Sequence, residues 1–390
     1  MGVVVLALSM SMVCSSAARA TSGEPVFIGL TAEFGLKSSV SAQAVEMGIR
    51  VALEEINARG GVLGGRPLAL ETRDDRSVPA RAIDNLLEFA KKNDLVAVFG
   101  ARFSPVLLEL LPTAHRQKMI LLDPWASADG ITEHEYKPNY VFRLSLKDSH
   151  AMPAMLKYAS GKGWSPVGLL LPNTGWGRSN DAAAQAYLIS HPEITVARTR
   201  WYNWGDANFG DLLRDFREAG VKALVFVAND IEGVALVNEL AALPAEQRTP
   251  VISHWGVTGG RFFENAKDSL PKLQFRVVQT FSFFTAPKDV RDRFMLLAKK
   301  LYNADSWEKI AAPVGVGHAY DLTHLLALAI DKAGVPDRER VRAALEELGP
   351  YKGLCGDFSR PFTPERHDAL GPESVFLATY REDGVIVPAP

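Results

Sequence analysis

The chain has 390 residues, 47% hydrophobic and 23% charged, a globular composition long enough for two domains of ordinary size. Its formal charge of −2, with no block of lysine and arginine, offers nothing to a polyanion, so nucleic-acid binding is not expected.

The first twenty residues stand apart from the rest. Val3 to Val13 form a run of apolar and small residues, and Ala18-Arg19-Ala20 closes it with the small-x-small pattern of signal-peptidase cleavage. The reading is a secretory signal over residues 1–20, although no basic residue precedes the run; the alternative is a short buried or frayed N-terminal segment. The run is well short of the ~20 residues a spanning helix needs, and no later apolar run reaches that length. Cleavage removes Cys14 and leaves Cys355 alone, without a disulfide partner, while the bulky Val13 argues against lipidation of Cys14. A soluble protein outside the cytoplasm, in the periplasm, is the expectation.

Beyond the leader, short β-branched runs alternate with helical ones: a strand over 25–31, a helix over 41–59, a strand over 68–72, a helix over 78–93 and a strand over 95–100. In the first helix Val45, Ile49, Leu53 and Ile56 recur at helical spacing, which turns one apolar stripe toward a sheet, and Gly60-Gly61 ends it. The runs 95–99 and 120–122 are continuously apolar, as in parallel strands covered on both faces. The same grammar restarts near residue 140, with strands over 167–171, 195–201, 223–227 and 251–253. The α/β alternation predicts two doubly wound lobes, and "LVAVFGARFSPVLLELL" and "ALVFVANDIEGVALVNEL" echo one another as strand, polar loop and helix. Ligands of open α/β sheets bind beyond the carboxyl ends of the strands, so two such lobes face each other across a cleft.

Candidate ligand-binding residues fall at those strand ends. Ser104-Pro105 reads as an N-cap with proline at N1; the same serine and the first helix amides could also hold a carboxylate. The stretch from Asp123 through Trp125, Ala126 and Ser127 to Asp129 is either a surface turn or a loop offering Ser127 and the Ala126 carbonyl to a polar ligand head. Trp176, between two glycines in "NTGWGRS", reads as an exposed loop-tip aromatic that meets a ligand or packs on its own lobe. Asn229-Asp230 could pair with a ligand ammonium or cap the next helix, and His254-Trp255 ends the following strand.

No enzyme signature holds: there is no G-x-S-x-G elbow, no phosphate loop, no H-E-x-x-H and no paired cysteines. His318 and His324 are six residues apart, a spacing that does not place both on one metal. Neither catalysis, a metal nor a cofactor is expected.

The segments "FIGLTAEFG", "ALEEINARGGVLGG", "PLALETRDD", "FGARFSP", "LLDPWAS" and "NTGWGRS" resemble the type I periplasmic solute-binding proteins of branched-chain amino acid ABC importers, over nearly the whole mature chain. The resemblance implies two Rossmann-like lobes joined by three crossovers near Arg143, Thr280 and Gly353, with residues 25–143 and 281–352 in lobe 1 and 144–280 and 353–390 in lobe 2. It places Ser104 at the family's carboxylate-binding serine, Ala126 and Ser127 at its carbonyl and hydroxyl pair, Trp176 where a tyrosine is common, and Asp230 near a position that often reaches the ligand. Trp255 stands about where aliphatic amino acid binders carry an acidic residue for the α-ammonium, which puts leucine, isoleucine or valine in doubt. Arg102 is a second departure: with Phe103, Trp176 and Trp255 it suits a flat or bulky ligand bearing a carboxylate, an aromatic acid or aromatic amino acid, unless it pairs with Asp123 or another surface carboxylate. The expected function is capture of such a ligand and its delivery to an ABC permease and ATPase complex in the inner membrane. The alternative is a sensory module that passes the same signal to a receptor or kinase.

Overall fold

The computed structural model describes residues 23–36, 39–100 and 102–389; the leader and Cys14 lie outside the described residues. The first half of the chain runs β1 (Val26–Ala32), α1 (Ser41–Ala58), β2 (Leu68–Asp74), α2 (Pro79–Ala90), β3 (Leu95–Phe99), α3 (Ser104–Arg116), β4 (Ile120–Asp123) and β5 (Val141–Arg143). These strands form one sheet, ordered β2-β1-β3-β4-β5, with every pairing parallel. All of β3 and β4 is buried, as their continuous apolar runs require. Val98 and Leu121 join the core under α2 and α3, whereas Phe99 and Leu122 join the core on the other face, with Val45 and Ile49 of α1.

The second sheet is built by α4 (Asp148–Gly161), β6 (Val167–Pro172), α5 (Gly175–Leu188), β7 (Val196–Tyr202), α6 (Gly210–Glu218), β8 (Ala223–Phe226), α7 (Asp230–Ala242), β9 (Val251–Ser253), α8 (Phe262–Ala266) and β10 (Phe275–Gln279). The chain then returns to the first lobe with α9 (Lys288–Tyr302), α10 (Pro313–Ala333) and α11 (Arg338–Glu346). There α10 lies along α1, and Arg338 of α11 donates to the carbonyls of Ala90, Lys92 and Leu95. A small ladder, β11 (Tyr351–Lys352) with β12 (Asp357–Phe358), precedes β13 (Phe376–Tyr380) and β14 (Ile386–Pro388).

The last two strands extend the second sheet, ordered β7-β6-β8-β9-β10-β13-β14, and they do so antiparallel. Asp383-Gly384 turns this hairpin, with Gly384 at φ +87°, where an L side chain would be strained. The molecule therefore consists of two α/β lobes joined by crossover segments, and the second sheet is mixed rather than wholly parallel.

The crossovers are laced together. Arg143, fully buried, donates from Nε to Asp368 Oδ1 (2.5 Å), from Nη1 to the Ala128 carbonyl (2.8 Å) and from Nη2 to Thr132 Oγ1 (2.8 Å). Its backbone amide donates to the His367 carbonyl, and its own carbonyl accepts from the Ala369 amide. At the return crossing His318 Nδ1 lies 2.9 Å from the Pro124 carbonyl, so Nδ1 carries the proton and Nε2 accepts from the Thr280 hydroxyl at 3.1 Å. Burial pushes the pKa of His318 down to about 4, which keeps it neutral. Cys355 is half-buried, is the one cysteine among the described residues, and its amide donates to Asp321 Oδ2 (2.7 Å).

Candidate functional site

The strand order of each sheet reverses at one place, between β1 and β3 in the first lobe and between β6 and β8 in the second. Loops leaving those strands diverge to opposite faces and open a crevice beyond their carboxyl ends. The segment after β3 carries Arg102, Phe103 and Ser104; the loop after β4 carries Trp125 and Ser127; β6, β7, β8 and β9 lead to Trp176, Trp204, Asn229 and Trp255 with Gly256. These residues line one narrow cleft between the lobes. The lobes are closed over it, for the Val40 amide donates to the Gly259 carbonyl (2.9 Å) and the Asp129 amide to Ser179 Oγ (3.0 Å).

Ser104 is the first residue of α3 rather than its cap, and its side chain makes no capping bond. Its Oγ instead accepts the amides of Ser127 and Ala128, both at 3.2 Å, and so ties the β4 loop to α3. The amides of Val106 and Leu107 turn back to the Phe103 carbonyl, and Pro105 has none. This end of α3 therefore offers the serine hydroxyl proton rather than a fan of free amides.

Aromatic rings supply the walls from both lobes. Trp125 and Trp255, each 1% exposed, meet at 5.9 Å between centroids, and Phe103 meets Trp204 at 5.3 Å. Trp176 is not an exposed loop tip: it lies in the first turn of α5, 5% exposed, edge-on to His254 at 4.9 Å. The Thr174 side chain caps that helix by accepting from the Gly177 amide (3.3 Å). Trp176 Nε1 and Trp204 Nε1 are buried without a hydrogen-bond partner among the described residues.

Arg102 does not pair with Asp123. Its Nη2 reaches across the cleft to Asp230 Oδ1 (2.7 Å), the Gly256 carbonyl (2.7 Å) and Asn229 Oδ1 (3.3 Å), with the guanidinium 4.9 Å over the Phe103 ring. Asp123 is fully buried and accepts the amides of Trp125 (3.0 Å) and Ala126 (2.8 Å) on Oδ1. Burial pushes its pKa up to about 7 against the opposing pull of Arg143 and those amides.

Three of the residues expected at the site stand beside the cleft rather than on its lining. Asp230 begins α7 and meets Arg102; the Ala126 carbonyl accepts from Ser145 Oγ (3.4 Å); His254, fully buried, faces Asp148 Oδ1 (3.2 Å) behind Trp176. Trp204 and Gly256 line the cleft and were not anticipated. Both lie two or three residues beyond the end of a strand, the position that singled out their neighbours, so "WYNWGD" carried the signal for Trp204. Among the described residues no group of three His, Cys, Asp or Glu side chains could hold a metal ion.

With this geometry the sequence comparisons agree. Residues 25–384 match the periplasmic binding protein family, and the chain belongs to that family. Its two-lobed architecture is the type I periplasmic-binding-protein fold of solute-binding proteins. Leu/Ile/Val-binding protein homolog 2 of Brucella abortus (strain 2308) is 23% identical over 367 residues, 93% of each chain. A type 1 periplasmic binding protein from Bordetella pertussis Tohama I shares the fold at a TM-score of 0.83 and 21% identity, over 94% of this chain and 100% of that one. A solute-binding protein from R. palustris, crystallised with 4-hydroxybenzoate, is similar at a TM-score of 0.78 and 18% identity, over 94% of this chain and 96% of that one.

Proposed function

We propose that this protein captures a small carboxylate-bearing solute, an amino acid or an aromatic acid, between its lobes and delivers it to the permease and ATPase of an ABC importer. It acts in the periplasm after removal of its leader. The first lobe takes residues 25–143 with 281–352, the second takes residues 144–280 with the C-terminal strands β13 and β14, and the hinge lies near Arg143, near Thr280 and where residue 368 runs beside Arg143. Ser104, Ser127 and the indole N–H of Trp176 receive the carboxylate, and Phe103, Trp125, Trp204 and Trp255 hold the ligand's body. The observation that carries this reading is the buried Trp176 Nε1, a donor on the wall of an aromatic cleft with no acceptor among the described residues. A buried donor without a partner costs about 1–3 kcal/mol, which a ligand oxygen would recover. The relatives point to the same two ligand classes: one is named for Leu/Ile/Val binding and one was crystallised with 4-hydroxybenzoate.

Closure around such a ligand shifts a balance between open and closed forms, and the permease reads the closed shape. The test is mass spectrometry of the small molecule released when the purified protein is denatured, followed by thermal melts with that compound and with panels of amino and aromatic acids. A ligand at a hundred times its Kd adds about 2.7 kcal/mol, a shift of several degrees. No released solute and no shift with any compound would refute capture.

A further inference from the structure

Three acceptors converge on one point of the second lobe: Asp230 Oδ1, Asn229 Oδ1 and the carbonyl of Gly256. Asp230 is 5% exposed and Asn229 7%. A buried carboxylate flanked by two neutral acceptors is the environment a small cation with N–H donors requires, because each donor meets an oxygen and the charge meets its opposite.

In this chain the place is already taken. Arg102 reaches it from the first lobe, 6% exposed, and spends Nη2 on all three oxygens. The seat is shaped for the pair. A Cβ at Gly259 would stand 2.6 Å from Arg102 Cζ and Nε, and one at Gly260 would stand 2.1 Å from Asp230 Oδ2. Two consecutive residues without side chains thus leave the volume that the ion pair fills.

The lining also offers donors. Trp176 Nε1 and Trp204 Nε1 have no partner among the described residues, and an indole N–H cannot accept. Ser104 Oγ already accepts two amides and keeps a proton to give. Glu232, a further carboxylate that feels the charges of Asp230 and Arg102, turns its Oε1 to the Gly205 amide (2.8 Å) and does not line the cleft.

We infer that Arg102 is a built-in cation occupying the cleft's ammonium seat, so that the ligand is a carboxylate without an amino group, an aromatic or aliphatic carboxylic acid rather than an α-amino acid. The inference rests on the capture reading and narrows it. A ligand ammonium would have to displace the guanidinium, leaving a buried charge unpaired, or share one carboxylate with it; either arrangement acts against amino acids.

Calorimetric titration with matched pairs tests this: 3-phenylpropanoate against phenylalanine, and 4-methylpentanoate against leucine, on wild type, Arg102→Ala and Arg102→Lys. Wild type and Arg102→Lys, which keeps the cation, prefer the acid without the amine by at least about tenfold, and Arg102→Ala loses or reverses that preference. Wild-type protein that binds either amino acid as tightly as its partner acid overturns the inference. Should neither pair bind, Arg102→Ala is melted with methylguanidinium, with tetramethylammonium as the control. The vacated seat predicts stabilisation by methylguanidinium alone and only in the variant; an equal response of variant and wild type overturns the inference. Failure of the capture reading looks different: no solute is released or bound by any form, whatever the outcome of the rescue.

Discussion

Ser104 holds two chain segments together before it meets any ligand, since its hydroxyl is the acceptor for the amides of Ser127 and Ala128. Ser104→Ala leaves both amides buried without that acceptor and is expected to cost roughly 1–3 kcal/mol of stability by urea melt. In the same variant the Kd for the released solute should rise by the equivalent of about 1.5–3 kcal/mol, the range for a bond to a charged group. Trp176 separates the two effects better. Trp176→Phe keeps an aromatic ring against His254 but removes the unpaired Nε1, so the melting temperature should hold while affinity falls by about 0.5–1.5 kcal/mol. Unchanged affinity in calorimetry would take Trp176 Nε1 off the ligand.

At the scale of elements, the pairing of α1 with α10 carries a charge that ties stability to acid. Glu55 of α1 is buried, which by itself pushes its pKa up. His324 Nε2 at 3.5 Å, the donating Tyr320 hydroxyl and the charge of Arg59 outweigh that, and its pKa is lowered from 4.5 to about 2. A depressed carboxylate contributes stability above the unfolded pKa and loses it as pH falls through the folded one. The melting temperature of the wild type should therefore decline between pH 4.5 and about 2 in part through Glu55, and Glu55→Gln should flatten that part of the profile. An identical profile in the variant would show that other carboxylates carry the acid response.

For the whole molecule, the junction of the crossovers is the element that both lobes share. Arg143 is fully buried and bonded to Asp368, Thr132 and the Ala128 carbonyl, so it fixes the first crossing against the chain that returns at residue 368. Arg143→Ala leaves the largely buried Asp368 with only the more distant Lys147 Nζ (3.9 Å) as counter-charge and is expected to cost about 3 kcal/mol in chemical denaturation. A much smaller loss would mean that water reaches Asp368 in the variant. The bonds that join the lobes across the cleft lie elsewhere, at Val40 with Gly259 and Asp129 with Ser179.

Much of this was readable from residues near one another in the chain. The stripe of Val45, Ile49, Leu53 and Ile56 is buried on α1, and the continuous runs at β3 and β4 are buried on both faces, because period and apolar run length are local properties. The antiparallel hairpin of β13 and β14 has an equally local mark in Asp383-Gly384, which the βαβ rhythm of the rest of the chain overshadows. The clustering of candidate residues at strand ends also followed from local order, since every parallel strand delivers its loop to the same edge. What no local rule could supply was partnership. The carboxylate that meets Arg102 is 128 residues away, the amides on Ser104 are 23 and 24 residues away, and the histidine against Trp176 comes from another strand end. Spacing shows which side chains reach a cleft, but only the closed packing of two lobes decides which charges have already found each other and which donors are left for a ligand.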